Sequence, residues 1–237
     1  MTPVGAQRAG AAKFAPAGVI GLLGGTFDPV HAGHLQLAQD AQSALGLAQL
    51  RLIPAGQPWQ KSGVTPVRHR LAMLEAALQD HGGRAGENWV LDRCEVERAG
   101  PSYTVDTLRE IRAAVGPAVP LVWILGFDQL RDLPSWHEWR SLVELAHIAY
   151  AQRAGQASVL SGALAAYVQA RRAQPADLAG QPAGCFAAFA MRPVDCSATQ
   201  IRDAVAAGDL AGAKHYLSPG VLGYIQAHQL YLAVNGQ

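Results

Sequence analysis

Six short apolar runs constrain this fold more than any other feature: VIGLLG (19–24), LRLIP (50–54), WVLDRCEV (89–96), LVWILG (121–126), HIAYAQ (147–152) and CFAAFAM (185–191). Runs of this kind read as parallel strands buried on both faces. Segments with helical spacing lie between them. Leu35, Leu37, Ala38, Ala41 and Leu45 form one apolar stripe, Leu71, Leu74, Ala77 and Leu78 a second, and Val105, Leu108, Ile111 and Arg112 lie on a third helix. Strand alternating with helix predicts an α/β fold, a Rossmann-like parallel sheet with helices on both faces and C-terminal helices packed against it. In such sheets ligands bind beyond the carboxyl ends of the strands.

The 237 residues allow one large domain or two small ones. No clear linker divides them, so a single domain over 18–237 is expected. Residues 1–17, rich in Ala, Gly and Pro, read as a disordered tail without the long apolar centre of a secretory signal. Ser218-Pro219 marks a helix start, and the otherwise uninformative stretch 155–184 carries one helix around 160–172. Half the residues are hydrophobic, enough for a sizeable core. With 19 basic and 18 acidic residues, the chain has no global field for gripping nucleic acid or a membrane surface. No run approaches a membrane span. Cys94, Cys185 and Cys196 are far apart and lack metal spacing, which fits free thiols and a cytoplasmic protein. A homo-oligomer stays open.

Chemistry first appears in GGTFDPVHAGHL (24–35), directly after the first strand. Glycines there let backbone approach a ligand closely, and Asp28-Pro29 stiffens the turn. His31 and His34, three apart at a helix start, project to one side and can donate to phosphate oxygens. The stretch is neither a Walker loop nor GxGxxG. Two histidines supply only half of a usual zinc ligand set. Ordinary glycine-turn packing with incidental histidines is the competing reading. A second constellation, CSATQIRDAV (196–205), offers a Ser197 or Thr199 cap and Arg202 about one turn into a helix. It reads as another anion cradle, or as a plain capped helix with a surface arginine. Two cradles on one sheet suit a polyphosphate, as adenylyl transfer from ATP requires.

GGTFDPVHAGH and SATQIR resemble the two signature motifs of the HxGH nucleotidylyltransferase superfamily. From about Val19 to Tyr231 the chain is similar to bacterial nicotinate-nucleotide adenylyltransferases, through AGPSYTVDTLREI (99–111), LGFDQLRDLPSWHEW (125–139) and SPGVLGYIQAHQLY (218–231) as well. The resemblance implies an enzyme that joins ATP to nicotinate mononucleotide, with Mg²⁺ accompanying the ATP. It implies that His31 and His34 contact the ATP phosphates, with Lys61 reaching in from a loop and Arg202 beside Ser197 and Thr199 on the β- and γ-phosphates. Gly24, Gly25, Thr26 and Phe27 would line the nucleotide loop, and Gly126 and Asp128 would lie near the ribose and adenylate. Arg153, after the fifth strand, is a candidate for reading adenine. Tyr103 and Thr104 would hold the nicotinate carboxylate and Trp136 would stack on the ring, although Trp136 and Trp139 could both be core residues. The loop PAGQPWQK (54–61) departs from the family pattern, with Trp59 and Gln60 where Pro-His is usual. Cys196 stands in place of a common aliphatic residue and Ala198 in place of a frequent serine. Nicotinamide mononucleotide, phosphopantetheine or a non-catalytic nucleotide-binding role are the alternatives.

Overall fold

Successive residues of the first apolar run go to opposite sides of one sheet. Val19 and Leu23 join one buried cluster, while Ile20 and Leu22 join the other. A strand wedged between two apolar layers has no polar face to alternate with, which is why the run is continuous. The computed structural model describes residues 18–58, 63–82, 87–153 and 160–232. The segment 1–17, Trp59, Gln60 and Lys61 lie outside the described residues, as does the side chain of Arg153.

Strands β1 (Val19–Gly25), β2 (Leu47–Pro54), β3 (Trp89–Leu91), β4 (Leu121–Gly126), β5 (His147–Arg153) and β6 (Phe186–Met191) form one parallel sheet in the order β3-β2-β1-β4-β5-β6. The strand order reverses between β1 and β4, so their carboxyl ends, Gly24-Gly25 and Gly126, flank the crevice where such sheets bind ligands. One face is covered by α1 (Ala32–Leu45) and α2 (Val67–His81). The short α3 (Cys94–Glu97) follows β3 at the sheet edge. The other face is covered by α4 (Thr104–Val115); α5 (Phe127–Arg131) leads from β4 to α6 (Trp139–Leu145) and α7 (Gly162–Gln169) on that same face. α8 (Ala198–Ala206), α9 (Leu210–Lys214) and α10 (Pro219–Ala227) return to the first face, with α10 against α2.

Three boundaries differ from the sequence reading. WVLDRCEV is strand only to Leu91, because the Asp92 carboxylate accepts from the Cys94 N–H at 3.1 Å and draws the chain into α3. The second strand starts at Leu47, since Gly46 ends α1 in the left-handed region and turns the chain straight into the sheet. The helix expected around 160–172 stops at Gln169, where Arg172 pairs with Phe186 at the edge of β6. The second stripe is also turned: α2 buries Arg70, Met73, Leu74 and Ala77, leaving Leu71 and Leu78 partly exposed. Ser218 does precede α10 with proline at its start, yet its hydroxyl makes no cap bond and is buried without a partner.

Candidate active site

The two sequence motifs meet at the carboxyl end of β1. Arg202 Nη1 donates to the Asp28 carbonyl at 2.8 Å, and Cys196 Sγ lies 3.3 Å from His31 Nδ1. Ser197 caps α8 by accepting from the Gln200 N–H at 3.2 Å, so Ser197 rather than Thr199 is the cap. Thr199 instead accepts from Arg202 Nη2 at 3.3 Å. The guanidinium is therefore held between both motifs, unlike a surface arginine on a plain capped helix.

The histidine pair has a stricter geometry than two residues on one helix face. His31 is not in α1 but is its N-cap. Its Nδ1 accepts from the Gly33 N–H at 3.2 Å, and its own N–H donates to His34 Nδ1 at 3.3 Å. This is a capping box built from imidazoles. Both Nδ1 atoms are acceptors, so in the neutral rings the proton belongs on Nε2. The rings lie 3.9 Å apart and both face the cavity. Gly33 makes this possible, because a Cβ there would sit 3.1 Å from the His31 ring and 3.3 Å from Cys196 Sγ. The first amides of α1 are already engaged, Ala32 N–H with the Tyr216 carbonyl and His34 N–H with the His31 carbonyl. This helix end thus presents imidazole N–H donors rather than bare amides.

Burial lowers the His31 pKa to about 4. The ring is neutral at pH 7 and still a donor through Nε2. The unfolded chain carries an ordinary His near 6.5, so between pH 6.5 and about 4 the unfolded state binds more protons and acid costs stability. In an NMR titration the His31 ring should stay in the neutral Nε2–H form at pH 6 and protonate only near 4; titration near 6.5 would contradict the buried, capped geometry.

The glycine turn works differently from the sequence reading. A Cβ on Gly24 would lie 2.5 Å from Trp123, and one on Gly25 would lie 3.1 Å from the Phe27 ring. The glycines make room for two aromatic rings of the cavity floor. Phe27 is itself in the left-handed region at φ 51° and meets His34 edge-on, with centroids 5.0 Å apart.

Sequence reasoning missed what holds this turn in place. Arg70 is fully buried, and its guanidinium donates to the carbonyls of Thr65 (2.9 Å), Thr26 (2.8 Å), Ala55 (2.7 Å) and Gly56 (3.3 Å). Burial lowers its pKa, and Asp28 nearby opposes that shift. Asp28 accepts from Tyr231 Oη at 2.7 Å and from the Thr65 N–H at 3.1 Å, which ties the C-terminal segment to the first motif. The one available signal was an arginine within an apolar helical stripe.

A cavity of about 1000 Å³ opens over the β1–β4 crevice. Gly24, Gly25, Thr26, Phe27, His31, His34, Ser197, Thr199 and Arg202 line it, and so do Tyr103, Thr104, Gly126, Asp128 and Trp136. Trp139 is outside it, packed edge-on against Tyr167 at 5.0 Å, which separates the two tryptophans. Tyr103 is the N-cap of α4 with no side-chain cap bond, and its ring lies 4.6 Å from that of His137, a cavity residue that sequence reasoning also missed. The α4 start has an acidic residue only at Asp106. Asp128 is exposed at the cavity mouth, 3.6 Å from Arg131. Arg153 is the last residue of β5. Among the described residues, no group of three or more His, Cys, Asp or Glu side chains could hold a metal ion, and no helix is long and apolar enough to cross a membrane.

Comparison with known proteins identifies relatives of this chain. A sequence model of the cytidylyltransferase-like family matches residues 22–204. Two curated bacterial relatives are named probable nicotinate-nucleotide adenylyltransferases. The one from Dechloromonas aromatica is 43% identical over 90% of this chain and 97% of its own. The one from Laribacter hongkongensis is 45% identical over 91% of this chain and 96% of its own. Among solved structures, Plasmodium falciparum nicotinic acid mononucleotide adenylyltransferase complexed with NaAD has the same fold at TM-score 0.67 and 17% identity. That match covers 90% of this chain and 97% of the other.

Proposed function

This chain belongs to the nicotinate-nucleotide adenylyltransferase family, and from that premise we propose that it transfers the adenylyl group of ATP to nicotinate mononucleotide, releasing pyrophosphate and nicotinate adenine dinucleotide. One observation carries the reading: a single cavity at the strand-order reversal is lined by His31, His34, Ser197, Thr199 and Arg202 together with Tyr103, Thr104 and Trp136. The acceptor's 5′-phosphate oxygen attacks the α-phosphorus in line, and the bond from that phosphorus to the β-phosphate bridging oxygen breaks. The residues act by alignment and charge stabilisation, without a covalent intermediate.

In this reading His31 and His34 donate from Nε2 to phosphate oxygens as negative charge shifts toward the leaving pyrophosphate. Ser197, Thr199 and Arg202 hold the β- and γ-phosphates, helped by the amides that open α8. Lys61 adds charge from its loop. Thr26 and Phe27 shape the turn under the nucleotide, with Gly126 and Asp128 beside its ribose and Arg153 toward adenine. At the acceptor end, the α4 start around Tyr103 and Thr104 takes the nicotinate carboxylate, which favours a helix N-terminus. Trp136 offers its face to the pyridine ring.

A divalent ion, Mg²⁺ in our reading, would ride on the ATP phosphate oxygens and neutralise their charge. The donor set fits this: both Asp28 carboxylate oxygens are engaged with Tyr231 and Thr65, and among the described residues no cluster of His, Cys, Asp or Glu forms a cage. ATP labelled at the α-phosphorus tests the reaction class. The label should appear in the dinucleotide, with unlabelled pyrophosphate released. Transfer of a γ-label to the acceptor would identify phosphoryl transfer and overturn the reading.

A further inference from the structure

The wall of the cavity contains a carboxylate that the transfer chemistry does not use. Glu95, on α3, is 5% exposed and lines the acceptor end. A second carboxylate beside the place proposed for a nicotinate carboxylate is unfavourable, so its presence requires a reason.

Counting protons supplies that reason. Ser102 Oγ accepts from the Gly56 N–H at 3.0 Å and from the Gln57 N–H at 3.1 Å. Both lone pairs of the hydroxyl are used, so its proton must be donated. The Glu95 carboxylate is the neighbour placed to take it. Thr107, fully buried on α4, accepts from Arg98 Nη1 at 3.1 Å and has one proton to donate, with Glu95 Oε1 at 2.8 Å nearer than the Tyr103 carbonyl at 3.3 Å. An ionised carboxylate only accepts, and the Thr107 and Ser102 hydroxyls favour that form against the burial that raises the Glu95 pKa. Ser102 N–H returns a bond to the Gln57 carbonyl at 3.0 Å, and Gly56 packs so closely on the Glu95 carbonyl that a Cβ would lie 2.1 Å from it.

Glu95 therefore joins two elements that are far apart in sequence. Through Ser102 it fixes the loop after β2, and through Thr107 it fixes the first turn of α4, where Tyr103 and Thr104 stand. Ala55 and Pro58 of that loop and Tyr103 and Thr104 of that turn line the same cavity. We propose that Glu95 is a positioning residue for acceptor binding: its carboxylate fastens the loop after β2 to the start of α4 by accepting the Ser102 and Thr107 hydroxyl protons. The role rests on the acceptor site assigned above, but concerns a residue that touches neither substrate.

Steady-state kinetics with each substrate varied tests it in three variants. Glu95→Ala and Ser102→Ala should raise the KM for nicotinate mononucleotide by roughly tenfold, in line with the loss of hydrogen bonds to a buried charged group. The KM for ATP should stay within about threefold of wild type. Glu95→Gln should fall between wild type and alanine, because its amide N–H₂ cannot accept the second hydroxyl proton. Equal rises in both KM values, or an unchanged acceptor KM in Ser102→Ala and Glu95→Gln, would overturn the proposal. If Glu95→Ala does not fold, the other two variants decide. Wild-type turnover with nicotinate mononucleotide is measured alongside, so failure of the acceptor assignment would show in the wild type, and failure of the Glu95 role only in the variants.

Discussion

His34→Ala should reduce kcat by about 10²–10³-fold, the usual cost of removing one donor to charge developing in a transition state. Its effect on stability should be much smaller. The variant loses one cap bond, from the His31 N–H to His34 Nδ1, and caps contribute about 1 kcal/mol. Urea denaturation measured beside kcat separates the two effects. Activity within a few-fold of wild type in a folded His34→Ala protein would remove the imidazole pair from the mechanism. In this role His31 would donate as a neutral ring, since burial lowers its pKa to about 4.

Arg70→Met should have the opposite profile, a large loss of stability at a position outside the cavity lining. Methionine fills similar space but leaves the carbonyls of Thr26, Ala55, Gly56 and Thr65 without their donor. It also strips the neighbouring Asp28 of its nearby cation. Breaking such a buried charged cluster costs about 3–5 kcal/mol, a large share of the roughly 5–15 kcal/mol that holds a domain folded. The urea midpoint at pH 7 should fall steeply, and activity should fall with the folded fraction. Arg70→Lys should recover little of it, because one ammonium cannot reach three separated stretches of chain. A stability change below about 1 kcal/mol in Arg70→Met would show that the turn is held by other contacts.

These two residues also mark what could be read before folding. His34 stands in a motif whose residue types and spacing offered phosphate donors beside a plain packing alternative, and the runs at 19–24 and 121–126 stated their burial through unbroken apolar character. The motifs at 24–35 and 196–205 were legible separately, but their contact through Arg202 and Asp28 depends on α8 returning to the first face of the sheet. Arg70 was not legible as a clamp. Its acceptors are backbone carbonyls, which any residue carries, so no side-chain pattern reports them. Glu95 and Ser102 were hidden for a similar reason: their meaning comes from how hydroxyl protons are shared between α3, α4 and the loop after β2. Gly24 lines the cavity, and the further steric demand on it from Trp123, which arrives from β4, was not legible. Strand ends were blurred where one polar side chain, Asp92, competes with the ladder.

The most direct test of the account compares kcat/KM for nicotinate mononucleotide, nicotinamide mononucleotide and phosphopantetheine, each with saturating ATP and Mg²⁺ and with pyrophosphate release as the signal. The ring site proposed around Thr104 and Trp136 predicts that the nicotinate nucleotide is the best acceptor, because only it brings a carboxylate to the α4 start. If it were instead the poorest of the three, the acceptor assignment would be contradicted.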